Sequence, residues 1–443
     1  MKRTRLALAA ALWLTASGLA SAQKKASATS SSLIINEIMA SNVDEFISPA
    51  YNFDGWIEFY NPTDEAVGLA GLYLSDDAKN LTKWQIPVSV GSLKPKAFRA
   101  LWFDSNNIEP KNAPFKLDVD GGTIYVSNNA GKLLFSQDYP ASKERVSYAR
   151  TTDGGEKWGL TSMATPGATN TTSTFAEQQL AAPVVDQPSQ VFAGTLVVNV
   201  TIPPGCSLRY TTDGSLPTLT NGETSTTGQF TVLNKNTNYR FRLFGDNLLA
   251  SPVTTRSFIY KNRNYPLPIV SVVCDKRFVS DDSIGVMVRG KNGRPGNGQQ
   301  TACNWNMDWE RPVNVSYIDA QNEMMLNQDV NLEMCGGWSR AWTPHSFKLK
   351  GSKELGGNKN LPYPFFEQKP YIRNRTIQVR NGGNDTKCRF KDPSLQYIVQ
   401  SSGLNLDCQS YQPVHEFING SYIGYRGALQ LLEDIYTASV SGN

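Results

Sequence analysis

From Leu33 onward the apolar residues gather in short blocks separated by turn signals, and long helical periods are scarce. Leu33 to Ile38, Trp56 to Tyr60, Ala97 to Phe103 and Thr123 to Val126 each read as a strand, the second closed by Asn61-Pro62 and the fourth by Asn128-Asn129. Short strands punctuated in this way predict a β-sandwich. Farther on, Tyr239 to Phe244 alternates, with Tyr239, Phe241 and Leu243 on one face and Arg240 and Arg242 on the other. Pro268 to Cys274, Gly285 to Gly290 and Thr376 to Val379 predict further strands, and the Gly/Asn-rich stretch Lys291 to Gln300 predicts a loop. Asp392 before Pro393 predicts a helix start and Gly403 its end, with Leu395, Ile398 and Val399 on one face. Asn419-Gly420 is the pair that a two-residue type I′ hairpin needs, since both positions take positive φ. Leu429, Leu431, Leu432, Ile435 and Tyr436 predict a core-facing tail helix, with Glu433 and Asp434 on its wet side.

These patterns divide the chain. Residues 1–22 form a secretory leader: Lys2, Arg3 and Arg5 open it, Leu6 to Leu14 is uncharged, and Ala20-Ser21-Ala22 offers the cleavage site. The apolar run is too short to span a bilayer, which takes about 20 residues. The expected product is exported and has no transmembrane segment. A polar linker covers 23–32, a first β module 33–167, a Thr/Asn-rich linker 168–181, a second β module 182–260 and a third unit 267–443. The expected fold class is multidomain and mainly β, with α+β structure in the last unit.

Charge excludes one class of partner. The chain has 43 basic and 39 acidic residues, and losing Lys2, Arg3 and Arg5 with the leader brings the net charge from +4 to +1. No basic run remains to grip nucleic acid. Cys206, Cys274, Cys303, Cys335, Cys388 and Cys408 are compatible with disulfides in an exported chain, Cys388 with Cys408 among the pairings open to it. Their spacing fits no zinc site, so no metal ligands are assigned.

Three resemblances add to this reading. Ile34-Ile35-Asn36-Glu37-Ile38, Asp54 to Pro62 and Gly71 to Asp76 make the first module resemble the lamin tail domain, which implies an immunoglobulin-like sandwich. Arg209 to Thr218, a strand with an Asp-Gly turn and a Pro-terminated loop, makes the second similar to the C-terminal β module of chitobiase and β-hexosaminidase-type proteins. That likeness implies an accessory sandwich without catalytic residues. In the third unit, Trp338-Ser339-Arg340 leads to Ser346 to Lys350, then Arg380 to Asp385, then Phe417 to Gly424. This order resembles the spore-coat protein kinase (CotH) family, and implies the N-terminal lobe of an atypical kinase that uses ATP and Mg²⁺.

A kinase lobe must hold a polyphosphate with fixed cations. Arg340, Lys348 and Lys350 meet that need, the two lysines sharing one strand face, although Lys-x-Lys is also an ordinary solvated face. Where the family has Lys before the motif serine, this chain has His345. A neutral imidazole is the weaker phosphate partner. Asn384 and Asp385 are expected near the nucleotide or its cation, or as turn residues with Asp385 paired to Arg389. The stretch Asp308-Trp309-Glu310-Arg311 is expected to start a strand by ion pairing. The family's cation-binding and acceptor-activating carboxylates are expected beyond the Asn419-Gly420 hairpin. The kinase unit is therefore expected to be incomplete at its C-terminus, with no catalytic residue assignable.

The expectation is a secreted or cell-surface protein with a region resembling a serine kinase, directed at a coat or envelope protein. The alternative is a non-catalytic adhesion, matrix or carbohydrate-binding protein with a glycan partner.

Overall fold

The computed structural model describes residues 32–431 apart from 106–108, 357, 384, 386–389 and 405, with 424–431 described as backbone. Strands dominate, and the described residues hold two α-helices, Arg277–Ser280 and Lys391–Ser401. The protein is multidomain and mainly β. None of its described helices is long and apolar enough to cross a membrane.

In the first unit a five-stranded sheet runs in the order Trp158–Thr161, Ser147–Arg150, Ile34–Met39, Gly55–Tyr60, Phe98–Phe103. It packs on a four-stranded sheet of Trp84–Gln85, Tyr73–Ser75, Gly122–Ser127 and Leu133–Tyr139. Ile57, Phe59 and Leu101 from one sheet meet Leu74, Ile124 and Val126 from the other in a single core. Because side chains alternate, the same strands send Glu37 and Glu58 to the outer face. Both carboxylates are nonetheless fully buried there. Residues 163–176, which include much of the expected 168–181 linker, fold over them. Thr165 donates to Glu37 and the Gly167 amide donates to Glu58. Asn170 donates to the carbonyls of Asn36 and Arg150, and the Ala176 amide bonds Leu160. The linker reading is thus corrected, because Asn170 and its neighbours satisfy backbone groups that would otherwise be buried without partners.

Burial pushes Glu37 up to about 7 and Glu58 up to about 8, and it outweighs the hydrogen bonds that favour their charged forms. An unfolded glutamate is half ionised at pH 4.5, so between that pH and 7–8 the folded chain holds extra protons. Stability should fall as pH rises through this window. Thermal melts at pH 5 and pH 8 check this, with the lower melting temperature expected at pH 8.

The second unit pairs a five-stranded sheet, ordered Gln190–Phe192, Thr254–Tyr260, Thr237–Gly245, Cys206–Thr211, Glu223–Ser225, with a two-stranded sheet of Thr195–Asn199 and Gln229–Leu233. Tyr239, Phe241 and Leu243 enter its core as the alternation predicts. Arg240 and Arg242 point the other way, yet they are also buried, because that face lies against the other two units.

The third unit is a closed seven-stranded barrel. Its order is Ile269–Val273, Glu310–Ile318, Met324–Met334, Phe347–Gly351, Thr376–Arg380, Ser421–Leu431, Tyr411–Ile418, and the last strand returns parallel to the first. Val272, Val315, Leu332, Phe347, Leu349, Val379 and Val414 share its core. Asn419 and Gly420 take φ of 48° and 76°, as the hairpin requires.

Three local expectations are corrected. Residues 285–290 form bends and irregular backbone and not a strand, as the Asn304 amide and the Arg311 guanidinium take the carbonyls of Gly285 and Ile284. Leu429 and Leu431 lie in a strand paired with Val379 and Ile377, and the remaining tail residues lie outside the described ones. The helix begins at Lys391 with Phe390 as its N-cap, so Asp392 lies within the first turn, where it pairs with Arg380 at 2.5 Å.

The three units are fastened together. Asp44 of the first accepts from Arg145 at 2.5 Å and from Arg240 of the second at 3.1 Å. Burial and the neighbouring arginines also link this cluster to Asp329 of the barrel. Gly214, at φ 83°, lies so close to the barrel that a Cβ would sit 2.0 Å from the Cys274 carbonyl oxygen. Asn236 donates to the Gly420 carbonyl, and Arg311 to that of Tyr51.

Candidate functional site

The candidate site lies on the outside of the barrel. Strand Phe347–Gly351 sends Phe347 and Leu349 into the core, so Lys348 and Lys350 face outward together, as their spacing predicts. Glu333 stands opposite Lys348 on the neighbouring strand, and Glu310 opposite Glu333 on the next. Lys350 is clamped between Glu310 and Glu333, with 2.9 Å to the latter. Burial alone would lower its pKa, but the two carboxylates prevail and hold the ammonium above its usual range. Lys348 reaches Glu333 at 3.6 Å and keeps about a third of its side chain exposed, 31 %. It is the more loosely held of the two lysines.

Arg340 sits on the 3₁₀ turn Trp338–Ala341. Its guanidinium donates to the Gly336 carbonyl at 2.6 Å and to the Trp305 carbonyl at 3.1 Å. His345 places Nδ1 2.7 Å from the Arg340 carbonyl oxygen and packs its ring on Trp305. Between these elements lies Cys335, whose thiol burial pushes up to about 12 against the fields of Lys348, Arg340 and Arg380. Three cations therefore act on one buried point, and Glu333 is held below its usual range against burial by Lys350, Lys348 and Arg340. Lys348 and Lys350 thus share one strand face with Glu333, and Arg340 acts on the same carboxylate from the neighbouring turn. A fixed cluster of this kind can receive a multivalent anion, with Lys348 the group freest to turn toward it.

The other expected residues are placed differently. Asn384 and Arg389 lie outside the described residues. The Asp385 carboxylate accepts from the Lys391 amide and so serves the start of the helix. Asp308 and Glu310 do form ion pairs, but with Arg294 and Lys350. Among the described residues no group of three or more His, Cys, Asp or Glu could hold a metal ion. The five described cysteines are all free thiols, and Cys388 lies outside the described residues.

Sequence reasoning missed Arg380 and Glu333 as members of the cluster. Glu333 carried a legible signal, since it alternates with Asn331 in a strand-like run, but its pairing with Lys348 depends on a register that no local pattern sets. No protein-family model matches the chain, and no curated protein matches it.

Proposed function

We propose that the chain is an exported protein whose barrel is the nucleotide-binding part of a CotH-like kinase unit. The first two units are read as a lamin-tail-like, immunoglobulin-type sandwich and a chitobiase-type accessory sandwich. The observation that supports this reading is the pairing of Lys348 and Lys350 with Glu333 on one outer strand face, with the charge of Arg340 acting on the same carboxylate. Lys348 would hold a phosphate of ATP, while Glu310 and Glu333 keep Lys350 fixed beside it. By resemblance, the acceptor would be a serine on a coat or envelope protein. Among the described residues no group of three or more ligating side chains offers a preformed Mg²⁺ site, and no step is assigned to that ion.

A non-catalytic surface protein is the second reading. The buried ion cluster that locks the three units into one body favours it, since a rigid array of β modules suits spacing and adhesion.

Calorimetry of the full chain with ATP, with and without Mg²⁺, separates the two. Replacing Lys348 by Ala should weaken ATP binding at least about tenfold, the size of one lost charge-assisted hydrogen bond. Equal heats for both proteins, or no heat for either, would overturn the nucleotide reading.

A further inference from the structure

A second feature stands beside the cation cluster and shares Trp305 and the Trp338–Ala341 turn with it. The hairpin of Arg294–Gly296 and Gln299–Cys303 and the turn Trp338–Ala341 enclose an open groove of about 470 Å³. Trp305 and Trp338 line it together with Arg289, Gln299, Gln300 and Thr301, and no carboxylate borders it.

The groove is built. Gln299 accepts from the Trp305 indole N–H at 2.8 Å and from the Asn306 amide at 3.4 Å. The same side chain donates to the Trp338 carbonyl at 3.4 Å. Gly298, at φ 81°, approaches the Trp338 ring so closely that a Cβ would lie 2.9 Å from Cε3. Only glycine allows that approach. The hairpin therefore presses on the Trp338 ring, yet the residue remains 58 % exposed.

A large indole held in place with much of its surface wet is a stacking platform. Around it, Arg289, Gln300 and Thr301 have no hydrogen-bond partner for their side chains among the described residues. They supply a guanidinium, an amide and a hydroxyl, which can donate to or accept from a rim of hydroxyl groups. A pyranose has this complementary form: an apolar C–H face to cover the indole and hydroxyls at its edge. A nucleobase fits less well. Its flat edge offers few hydroxyls to these three side chains, and the Arg340 guanidinium beside the groove is taken up by the carbonyls of Gly336 and Trp305.

We propose that this groove binds a pyranose unit of a glycan chain, with Trp338 as the platform and Gln300, Thr301 and Arg289 as its polar contacts. The proposal stands apart from the nucleotide reading, because it uses neither Lys348 nor Lys350.

Affinity electrophoresis of the full chain tests it, in native gels containing laminarin, xylan, glycol chitin or polygalacturonate. At least one polysaccharide should retard the wild-type chain. Trp338→Ala should weaken that retardation at least tenfold, and Gln300→Ala should weaken it less, with melting temperatures unchanged in both. Lys348→Ala should be retarded like the wild type. Failure of all four polysaccharides to retard the chain overturns the proposal, as does full retardation of Trp338→Ala. If ATP quenches tryptophan fluorescence in the wild type but not in Trp338→Ala, the groove takes a base and the glycan assignment fails.

Discussion

Replacing Asp44 by Ala is expected to destabilise the protein by about 3–5 kcal/mol, the usual cost of stripping one partner from a buried ion pair. Asp44 is 4 % exposed and lies between Arg145, at 1 %, and Arg240, at 8 %. Against its burial, these guanidinium groups hold its carboxyl well below the usual carboxylate range. Without it, the remaining acids cannot take over. Glu144 is 3.0 Å from Arg145 and Glu45 is 4.0 Å from Arg242, but burial pushes both carboxyls up to about 7. Arg145 would keep Glu144 and Arg240 the Gly214 carbonyl, but both would lose their closest shared carboxylate. Urea unfolding at pH 7 measures the loss. Because the cluster joins all three units, the variant should also separate the transition into more than one step. A single unshifted transition would show that the cluster carries no net stabilisation. Adding Arg145→Met and Arg240→Met to the Asp44 variant should restore much of the loss, since an apolar replacement removes the desolvation cost with the charge.

Arg311→Ala should be nearly as damaging, at about 3–5 kcal/mol, through a different mechanism. Its guanidinium is fully buried and bonds no carboxylate. It donates twice to the Ile284 carbonyl, at 3.0 and 2.7 Å, once to the Tyr51 carbonyl at 2.7 Å and once to the Glu310 backbone carbonyl at 2.8 Å. It also lies over the Trp309 ring at 5.0 Å. Burial lowers its pKa to about 9, which is still high enough for the group to remain charged at neutral pH. Deleting it leaves the Ile284 and Tyr51 carbonyls without this donor and opens a cavity beside Trp309. Lysine would not replace it, because one ammonium cannot span carbonyls that the planar fork reaches from two sides. Hydrogen exchange should quicken at residues 51–54 and 284–287 together in Arg311→Ala, and unchanged exchange at either segment would refute the bridge.

The two variants show where sequence reading succeeds and where it stops. Alternation placed the strand around Phe241, and short apolar blocks bounded by turn signals placed those around Ile57 and Val272. It also put Lys348 and Lys350 on one face, and the Asn419-Gly420 turn followed from backbone sterics alone. The same alternation gave Arg240 and Arg242 a polar face without saying what that face meets. Arg311 looked like half of a local ion pair, yet its partners are carbonyls as distant as Tyr51.

What the chain determined by itself is local: strand faces, turn residues, the alternation that aims two lysines outward. Closure of the barrel was decided only by tertiary structure, as the parallel return of Tyr411–Ile418 onto Ile269–Val273 joins segments far apart in sequence. So was the meeting of Asp44, Arg145, Arg240 and Asp329, one charge cluster drawn from three units. The physical reason is the same in both cases. Backbone preference acts over a few neighbours, whereas strand pairing and the desolvation of charge depend on which distant surfaces exclude water from each other.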